Sequence, residues 1–367
     1  MSEAKESPAA CILEYVRVLA INPGSTSTKL ALLEAGEAGV TVIESFSEKH
    51  SPASTLAADL EARRKLVLAR ANAWRPFDVV AARGGLIGPV PAGVYEIDKE
   101  MVELCLAAPY GVHPANLAAP LAREVADRFG VPAYVVDPPT TDELEPVARI
   151  SGAPGVSRRS RVHALNLRYV ARKAAIATGG SLSNTPMIGA HLGGGSSVVR
   201  FSGGRMVDTN DALLGEGPFS PNRAGTVPIY GAIEYTAKNG ADAARQFFGR
   251  NAGFKGLLGT DDLLTIEKRL KDPEVKLIVD AYVLQVAKYM FGMAAAEKPR
   301  AFFITGGVAR FDYVVNELKK RLNWVAPVSV WPGEFEMEAL AEGAFRAISG
   351  VESPRRIREV THGNAGL

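Results

Sequence analysis

The chain has 367 residues, of which 47% are hydrophobic and 22% charged, and its formal net charge is +2. These values are ordinary for a globular protein of two or three domains. They argue against bulk nucleic-acid binding, because the sequence has no basic block and no basic run with interleaved aromatic residues.

The cysteines and the N-terminal segment indicate the compartment. Cys11 and Cys105 lie far apart and form no CxxC motif, which favours a reducing compartment. The first ten residues are polar, and Glu14 and Arg17 interrupt the apolar run that follows, so neither a signal peptide nor a membrane span is expected. We therefore expect a cytoplasmic protein with no membrane partner.

The first half of the chain alternates short apolar runs with amphipathic segments. Runs rich in Val, Ile and Leu predict strands at 16–21, 29–33, 40–46, 77–82 and 132–136. The spacing of apolar residues predicts helices at about 55–73, 98–107 and 115–129. This alternation is typical of an α/β layer with a partly parallel sheet.

A polar segment rich in Pro and Gly, residues 140–160, predicts the crossing into a second domain. The elements predicted beyond it are a helix at 162–178, a strand at Met187–Leu192, a hairpin of Val198–Phe201 and Met206–Asp208, helices at about 273–296 and 312–322, a strand at Ala301–Thr305, and a last helix from about Glu336 to Ile348. Because both halves begin with a strand, a Gly/Ser loop and another strand, they suggest a structural duplication.

Three loops carry the chemical signal. Asn22–Lys29 (NPGSTSTK) lies between two strands, and its backbone N–H groups and hydroxyls are all expected to point inward, which suits an anionic phosphate. His191–Ser197 (HLGGGSS) has three glycines that permit close approach of a ligand. Ile304–Arg310 (ITGGVAR) follows a buried strand and can hold a flat ring or a phosphate. Each alone could be an ordinary turn, but together they indicate nucleotide binding.

The familiar nucleotide and hydrolase motifs are missing from the sequence. It contains no Walker GxxxxGK[ST], no GxGxxG after a strand, no HExxH and no GxSxG. Nucleotide binding must therefore use another architecture.

The three loops together resemble those of the acetate and butyrate kinase family, within the sugar kinase, Hsp70 and actin superfamily. VDPPTTDELEPVARISG, RVHALN, EGPFSPNRAGTVP and PGEFEMEALAEGA are similar to the butyrate and branched-chain fatty acid kinases. The resemblance implies an α/β fold of two duplicated ribonuclease H-like (actin-like ATPase) domains with an ATP cleft between them. The first would comprise residues 1–150 plus a C-terminal helix at about 340–367, and the second residues 151–339.

The resemblance also implies an activity: reversible ATP-dependent phosphorylation of butyrate or a branched-chain analogue, giving an acyl phosphate and ADP. It implies ATP/ADP and Mg²⁺ as cofactors and a homo-oligomer, a dimer or larger. A carboxylic acid is already ionised at pH 7, so the acceptor needs no general base, and the site should instead supply cations and dipoles. The alternatives are an acetate or propionate kinase, or an actin- or Hsp70-like ATPase that binds a protein partner. Acyl chain length and the physiological direction stay open.

The residues that the resemblance singles out fall into three groups. The catalytic group is Asn22, Arg83, Asp137, His163 and Arg223. The nucleotide-binding group is Gly24, Ser25, Thr26, Ser27, Lys29, His191, Gly193, Gly194, Gly195, Ser196, Gly306, Gly307 and Arg310. The metal-binding group is Asp137 and Glu336, with Glu334 and Glu338 as competitors for the same role.

The local sequence gives some of these residues a rationale of their own. Arg83 ends a strand beside two glycines, and Arg223 lies in a loop of prolines and small residues, although a lone Arg is more often a solvated surface group. Both would hold the carboxylate and the phosphoryl group in flight. His163 opens a helix, where it would stabilise the transition state or simply serve as a cap or core histidine. Asn22 stands where actin, Hsp70 and hexokinase-type enzymes carry Asp, and its neutrality suits an anionic acceptor.

Overall fold

The structure, a computed structural model, describes residues 14–51, 55–213 and 215–361. They form two compact units. Unit 1 contains the described residues up to Ile87, Gly93–Val136 and those from Met337 onward, and unit 2 contains those of Gly88–Ala92 and Asp137–Glu336. Apart from the short segment Gly88–Ala92, the chain enters unit 2 after Val136, upstream of the segment predicted to make the crossing. Residues 1–13 and 362–367 of the predicted first domain lie outside the described residues.

Eleven strands are present in the described part of the chain. In chain order they are β1 (Tyr15–Pro23), β2 (Ser27–Gly36), β3 (Gly39–Lys49), β4 (Val79–Ala82), β5 (Val94–Glu96), β6 (Ala133–Val136), β7 (Met187–Leu192), β8 (Ser196–Ser202), β9 (Arg205–Thr209), β10 (Ala301–Gly306) and β11 (Val328–Pro332). Every predicted strand is among them, whereas β5 and β11 were not predicted.

Twelve α-helices are described, together with three short 3₁₀ helices. The α-helices are α1 (Leu56–Ala73), α2 (Lys99–Ala107), α3 (Ala118–Phe129), α4 (Ala164–Ala177), α5 (Ile229–Asn239), α6 (Ala241–Arg250), α7 (Gly253–Leu258), α8 (Leu263–Lys268), α9 (Pro273–Met293), α10 (Asp312–Leu322), α11 (Glu336–Ile348) and α12 (Ile357–Thr361). The 3₁₀ helices are Pro114–Leu117, Pro146–Arg149 and Gly307–Arg310. None of the α-helices in these ranges is both long enough and apolar enough to cross a bilayer.

The two sheets share one topology. The sheet of unit 1 has the order β3-β2-β1-β4-β6-β5, and that of unit 2 has the order β11-β10-β7-β8-β9. In each, three consecutive antiparallel strands form a meander, and two later strands add in parallel beside its first strand. Only β5 has no counterpart. The α/β class and the predicted duplication are therefore confirmed.

The apolar composition of the central strands follows from their burial. Six successive residues of β1 are buried, from Val18 to Pro23, because the strand lies in mid-sheet. The edge strand β3 is mostly exposed and carries Glu44, Glu48 and Lys49, which discourage pairing with another chain. In unit 2, α9 and α10 bury their apolar faces with β7 and β10 in one hydrophobic cluster.

The structure describes one of the two cysteines, Cys105. Cys105 is a free buried thiol, and burial raises its pKa to about 11. Cys11 lies outside the described residues.

Candidate active site

The turn between β1 and β2 contains the first predicted loop. Asn22 is buried at the end of β1 and pairs with Lys29 of β2 across the ladder, while Ser25 and Thr26 are exposed at the tip. The Gly24 N–H donates to the Ser27 carbonyl at 2.7 Å. The expectation that all the N–H groups of this loop face a ligand is therefore wrong for Gly24, whose N–H closes the hairpin. The tip keeps the Ser25 and Thr26 hydroxyls at the surface.

A buried arginine that the sequence analysis did not single out supports this turn. Arg63 of α1 is fully buried and donates from Nη1 to the carbonyls of Gly24 and Ser27, at 3.0 and 3.3 Å. Its Nε and Nη2 donate to the two carboxylate oxygens of Asp59 at 2.7 and 3.0 Å. The helix α1 and the loop are thus tied together.

Arg83 directly follows β4 in unit 1, as the sequence predicted, and is half-buried. Its N–H donates to the Ile21 carbonyl at 3.3 Å, so its backbone is fixed beside the strand that leads into the first loop. His113 lies near it: burial, and then the charge of Arg83, lower the pKa of that imidazole. His113 Nδ1 accepts from the Ala115 N–H at 3.1 Å, which requires an unprotonated Nδ1.

The second loop lies in unit 2 between β7 and β8, beside two predicted catalytic side chains. A Cβ added at Gly195 would lie 2.5 Å from Arg223 Nη1 and 3.4 Å from His163 Cε1. A Cβ at Gly193 would lie 3.1 Å from His191 Nε2 and 3.7 Å from Glu334 Oε1. The structure therefore brings Arg223, His163 and His191 against the backbone of the loop, and glycine leaves them the room to be there.

The two histidines form a stacked pair. Their ring centroids are 3.9 Å apart and the rings are 11° from parallel. His163 is the N-cap residue of α4, but its side chain makes no capping hydrogen bond, and its Nδ1 lies 2.9 Å from Ser197 Oγ instead. The interpretation of His163 as a simple helix cap is therefore wrong.

Asn166, which the sequence analysis assigned no role, orients His191. Its Oδ1 accepts from the Phe335 N–H at 3.0 Å, and its Nδ2 lies 2.7 Å from His191 Nδ1. A backbone N–H can only donate, so the amide nitrogen must face the imidazole, and His191 Nδ1 must accept. The neutral ring then carries its proton on Nε2, the nitrogen nearest the loop at Gly193.

Arg223 is half-buried, and its loop is fastened to the second glycine loop. Its Nη1 donates to the Ala212 carbonyl at 2.7 Å, and Ser220 Oγ donates to the Gly194 carbonyl at 2.7 Å. Burial lowers the pKa of Arg223, and the nearby charge of Arg250 lowers it further, against the opposite effect of Asp211. A cavity of about 540 Å³ adjoins the guanidinium, with Phe248 among its apolar lining residues.

The third loop follows β10 and packs on the second. Gly306 has a φ of +91°, and a Cβ there would lie 2.3 Å from the Leu192 carbonyl oxygen, so glycine is required. Gly306 exchanges backbone hydrogen bonds with Gly333 at 3.0 and 3.1 Å. Because β7, β10 and β11 are parallel, the loops at 192–197 and 306–310 and the segment at 333–336 meet at the carboxyl ends of their strands, where ligands bind in open α/β sheets.

Asp137 has a different setting from the one expected of a metal ligand. It follows β6 with a φ of +39°, and its carboxylate is fully buried. Arg168 Nε lies 3.0 Å from Oδ1, and Arg172 Nη2 lies 3.8 Å from Oδ2. Both arginines belong to α4, the helix that His163 begins, so Asp137 is an ion-pair partner of the helix that carries a catalytic candidate.

The three C-terminal glutamates are separated by burial. Glu336 is the first residue of α11 and half-buried, as is Glu338, whereas Glu334 is exposed. Glu334 is the one whose carboxylate approaches the second loop at Gly193. No group of three or more acidic, His or Cys side chains that could hold a metal occurs in the ranges the structure covers.

Comparison with known proteins agrees with this geometry. Residues 150–324 match the model of the acetokinase family. A probable butyrate kinase of Deinococcus radiodurans is 39% identical over 352 residues, which cover 91% of this chain and 92% of the relative. The acetate kinase of Porphyromonas gingivalis has the same fold, with a TM-score of 0.70 at 19% identity over 90% of this chain and 99% of that one. A propionate kinase of Francisella tularensis gives a TM-score of 0.69 at 16% identity, over 89% and 98% of the two chains.

Proposed function

Because this chain belongs to the acetokinase family and phosphorylates a carboxylate with ATP, we propose that its acceptor is butyrate or a branched short-chain analogue. The γ-phosphoryl group passes in line to a carboxylate oxygen, and the products are an acyl phosphate and ADP. The reverse reaction makes ATP from the acyl phosphate. The choice of butyrate rests on the 39% identical relative, which is named a probable butyrate kinase.

The observation that carries this proposal is the convergence of Arg223, His163 and His191 on the glycine loop at 193–195. Two anions must be brought together in this reaction, and their repulsion is its main obstacle. Arg223 supplies a half-buried charge, and His163 supplies a ring fixed by stacking. No carboxylate base is needed, since the acceptor is already an anion.

Each unit contributes its own predicted groups. In unit 2, the loop at 193–196 binds ATP phosphates, and the Gly306, Gly307 and Arg310 loop binds the adenosine. In unit 1, the turn at Gly24–Lys29 binds phosphate oxygens through its exposed hydroxyls and Lys29. Arg83 binds the carboxylate, and Asn22 keeps the strand end neutral beside the anions.

The residues present fit a Mg²⁺ ion that arrives with the nucleotide. Mg²⁺ takes one or two protein carboxylates and completes its shell with phosphates and water, so a cluster of three acids is not required. Glu336 would hold the ion, and Glu334 is the alternative on the loop side. Asp137 stays a predicted second ligand, with its carboxylate paired with Arg168 and Arg172. When bound, the ion would neutralise charge on the transferred phosphoryl group.

The test is a hydroxylamine trap. The protein is incubated with ATP, Mg²⁺ and acids of two to six carbons, and the acyl hydroxamate is measured together with ADP. We expect the highest kcat/KM with butyrate or a branched acid. Because one methylene is worth about 1–3 kcal/mol in an apolar pocket, neighbouring acids should also react. A higher kcat/KM for acetate or propionate than for butyrate would show that the protein is an acetate or propionate kinase instead. ATP hydrolysis without acid and without hydroxamate would instead favour a partner-binding ATPase.

We also propose a homo-oligomer in the cytoplasm. On α5, Ile229, Tyr230 and Ile233 are exposed, and on α9 so are Leu277 and Leu284. Exposed apolar side chains that recur along the surface of a helix, as on α5 and on α9, commonly mark protein interfaces. Sedimentation equilibrium should give a dimer or larger species, and Ile233→Glu should shift it towards the monomer. A monomeric wild-type protein would contradict this part.

A further inference from the structure

Arg63 and Asp59, which lie outside the residues named for catalysis, form a buried pair of opposite charges. Arg63 has no exposed surface, and the Asp59 side chain is 11% exposed. Burying two charges costs free energy, and replacing such a pair with apolar residues is often neutral or stabilising. A position on α1 that needed only packing could have been filled by Leu or Met.

The contacts of Arg63 point to the turn rather than to the helix. Its Nε and Nη2 are taken by Asp59 within α1, but Nη1 reaches the Gly24 carbonyl, the Ser27 carbonyl and Thr28 Oγ1 at 3.0, 3.3 and 3.0 Å. Asp59 therefore orients the guanidinium so that its remaining nitrogen faces the turn. One buried side chain gathers two carbonyl oxygens from the loop that is to receive phosphate.

The trans peptide bond turns this contact into a directional constraint. The C=O and N–H of one peptide plane point in opposite directions. With the Gly24 carbonyl held at Arg63 in the interior, the Ser25 N–H of the same plane must point away from α1, towards the exposed tip. The carbonyl oxygens, which would repel an anion, are turned inward, and the N–H that attracts one is turned outward.

His50 does the same at the peptide between Thr26 and Ser27. Its N–H donates to the Thr26 carbonyl at 2.8 Å, and its Nε2 lies 2.7 Å from Thr28 Oγ1, the hydroxyl that Arg63 also contacts. The Ser27 N–H therefore points away from His50. Arg63 and His50 hold the turn from two sides, but of the two only Arg63 contacts two carbonyls.

We propose that Arg63, aligned by Asp59, is a positioning residue that presets the phosphate-binding turn of unit 1, and in particular the direction of the Ser25 N–H. The inference rests on the proposed function in one respect, namely that this turn binds nucleotide phosphate. Its signature is a loss of nucleotide affinity with no loss of carboxylate affinity. A residue that merely supported the fold would weaken both.

Two variants test it. Arg63→Lys keeps a charge beside Asp59, but an ammonium cannot bind both carboxylate oxygens and both carbonyls in the fork geometry of a guanidinium. Asp59→Leu with Arg63→Met removes the buried charges together, so the fold is spared an unpaired buried carboxylate. Arg64→Lys and Arg64→Met are the matched controls, because Arg64 is the next residue of α1 and binds Glu124 at 2.6 Å.

The readouts are the KM for ATP, the KM for the carboxylate and, independently of turnover, the dissociation constant of ADP by calorimetry. We expect both Arg63 variants to raise the KM for ATP and the dissociation constant of ADP by about tenfold or more, and the double variant to raise them more than Arg63→Lys. The KM for the carboxylate should stay within about twofold of the wild-type value. The Arg64 variants should match wild type. Unchanged ADP affinity in either folded Arg63 variant would overturn the proposal, and so would equal losses for ATP and carboxylate. A wild-type protein that binds ADP but forms no hydroxamate would count against the proposed function alone.

Discussion

His163 and His191 stack with their ring centroids 3.9 Å apart. In addition, the Nδ1 atom of each ring contacts a different side chain of unit 2. Ser197 Oγ contacts His163 Nδ1 at 2.9 Å, and Asn166 Nδ2 contacts His191 Nδ1 at 2.7 Å. Neither ring can turn without disturbing the other. The pair therefore presents a rigid edge to the glycine loop on which Arg223 also converges.

Removing either candidate arginine should abolish most of the activity. Arg223→Ala and Arg83→Ala should each lower kcat by about 10²–10³-fold, since both lose a cation that offsets anion repulsion. The hydroxamate assay measures this, and the thermal midpoint checks the fold. Arg321→Ala, which removes the ion pair and the backbone hydrogen bond with Glu317 on α10, is the control. An arginine whose alanine variant keeps near-wild-type rates does not belong to the site.

Gly195 tests the contact between the loop and Arg223. In Gly195→Ala the new methyl group would lie 2.5 Å from Arg223 Nη1, and the flexible guanidinium must move. We expect kcat/KM to fall by about tenfold or more with little change in thermal stability, because the end of a side chain yields more easily than backbone. Gly231→Ala, whose methyl group meets nothing within 4 Å, should be fully active. Full activity of Gly195→Ala would contradict the convergence.

His113 should make stability depend on pH. Burial and Arg83 lower its pKa, and its Nδ1 must stay unprotonated to accept from the Ala115 N–H. In the unfolded chain the imidazole takes up a proton at about pH 6.5, whereas in the folded chain it does so only at a lower pH. The contribution of His113 to the free energy of unfolding is therefore complete above about pH 6.5 and declines as the pH falls below that value.

His113→Asn keeps an N-cap acceptor without a titrating ring. The thermal midpoint of this variant should therefore fall less than that of wild type between about pH 7 and pH 5. Identical slopes for the two proteins would show that His113 is not the group responsible.

Asp137 should matter for stability as well as for catalysis. Asp137→Asn leaves Arg168 and Arg172 without their buried carboxylate, and breaking a buried pair from one side costs about 3–5 kcal/mol in the free energy of unfolding. Urea denaturation measures the loss. Asp242→Asn, which removes a 96% exposed partner of Arg245, should leave the midpoint unchanged. If Asp137→Asn has the same urea midpoint as wild type, the ion pairs of Asp137 do not stabilise the fold, and only its proposed role at the metal would remain.

The sheets could be predicted from sequence because their strands are short apolar runs that are buried on both faces, as in β1 and β7. The helices α5 to α8 were not predicted. The helices α7 and α8 have six residues each, too few for a periodic pattern, and α5 and α6 together bury only Ala244, so little of their sequence is committed to the core. The strand β5 has only three residues, too few for any periodic signal.

The loops of the site could likewise be predicted, since glycine-rich turns after apolar strands leave a local signature. Asn166 and Arg63 leave none. Asn166 acts on Phe335, 169 residues away, and Arg63 acts on Gly24, 39 residues away. Each residue lies inside a helix whose local sequence shows no motif, and its partner is far away in sequence and comes close only in the folded chain. The ion pair of Asp137 with α4 was hidden for the same reason.

The most direct test of the central claim is a time course by ³¹P nuclear magnetic resonance with ATP, Mg²⁺ and butyrate. The account predicts that an acyl phosphate resonance grows at the rate at which ADP appears, and that both stop growing when butyrate is left out. ADP accompanied by inorganic phosphate alone, at the same rate with and without butyrate, would contradict it.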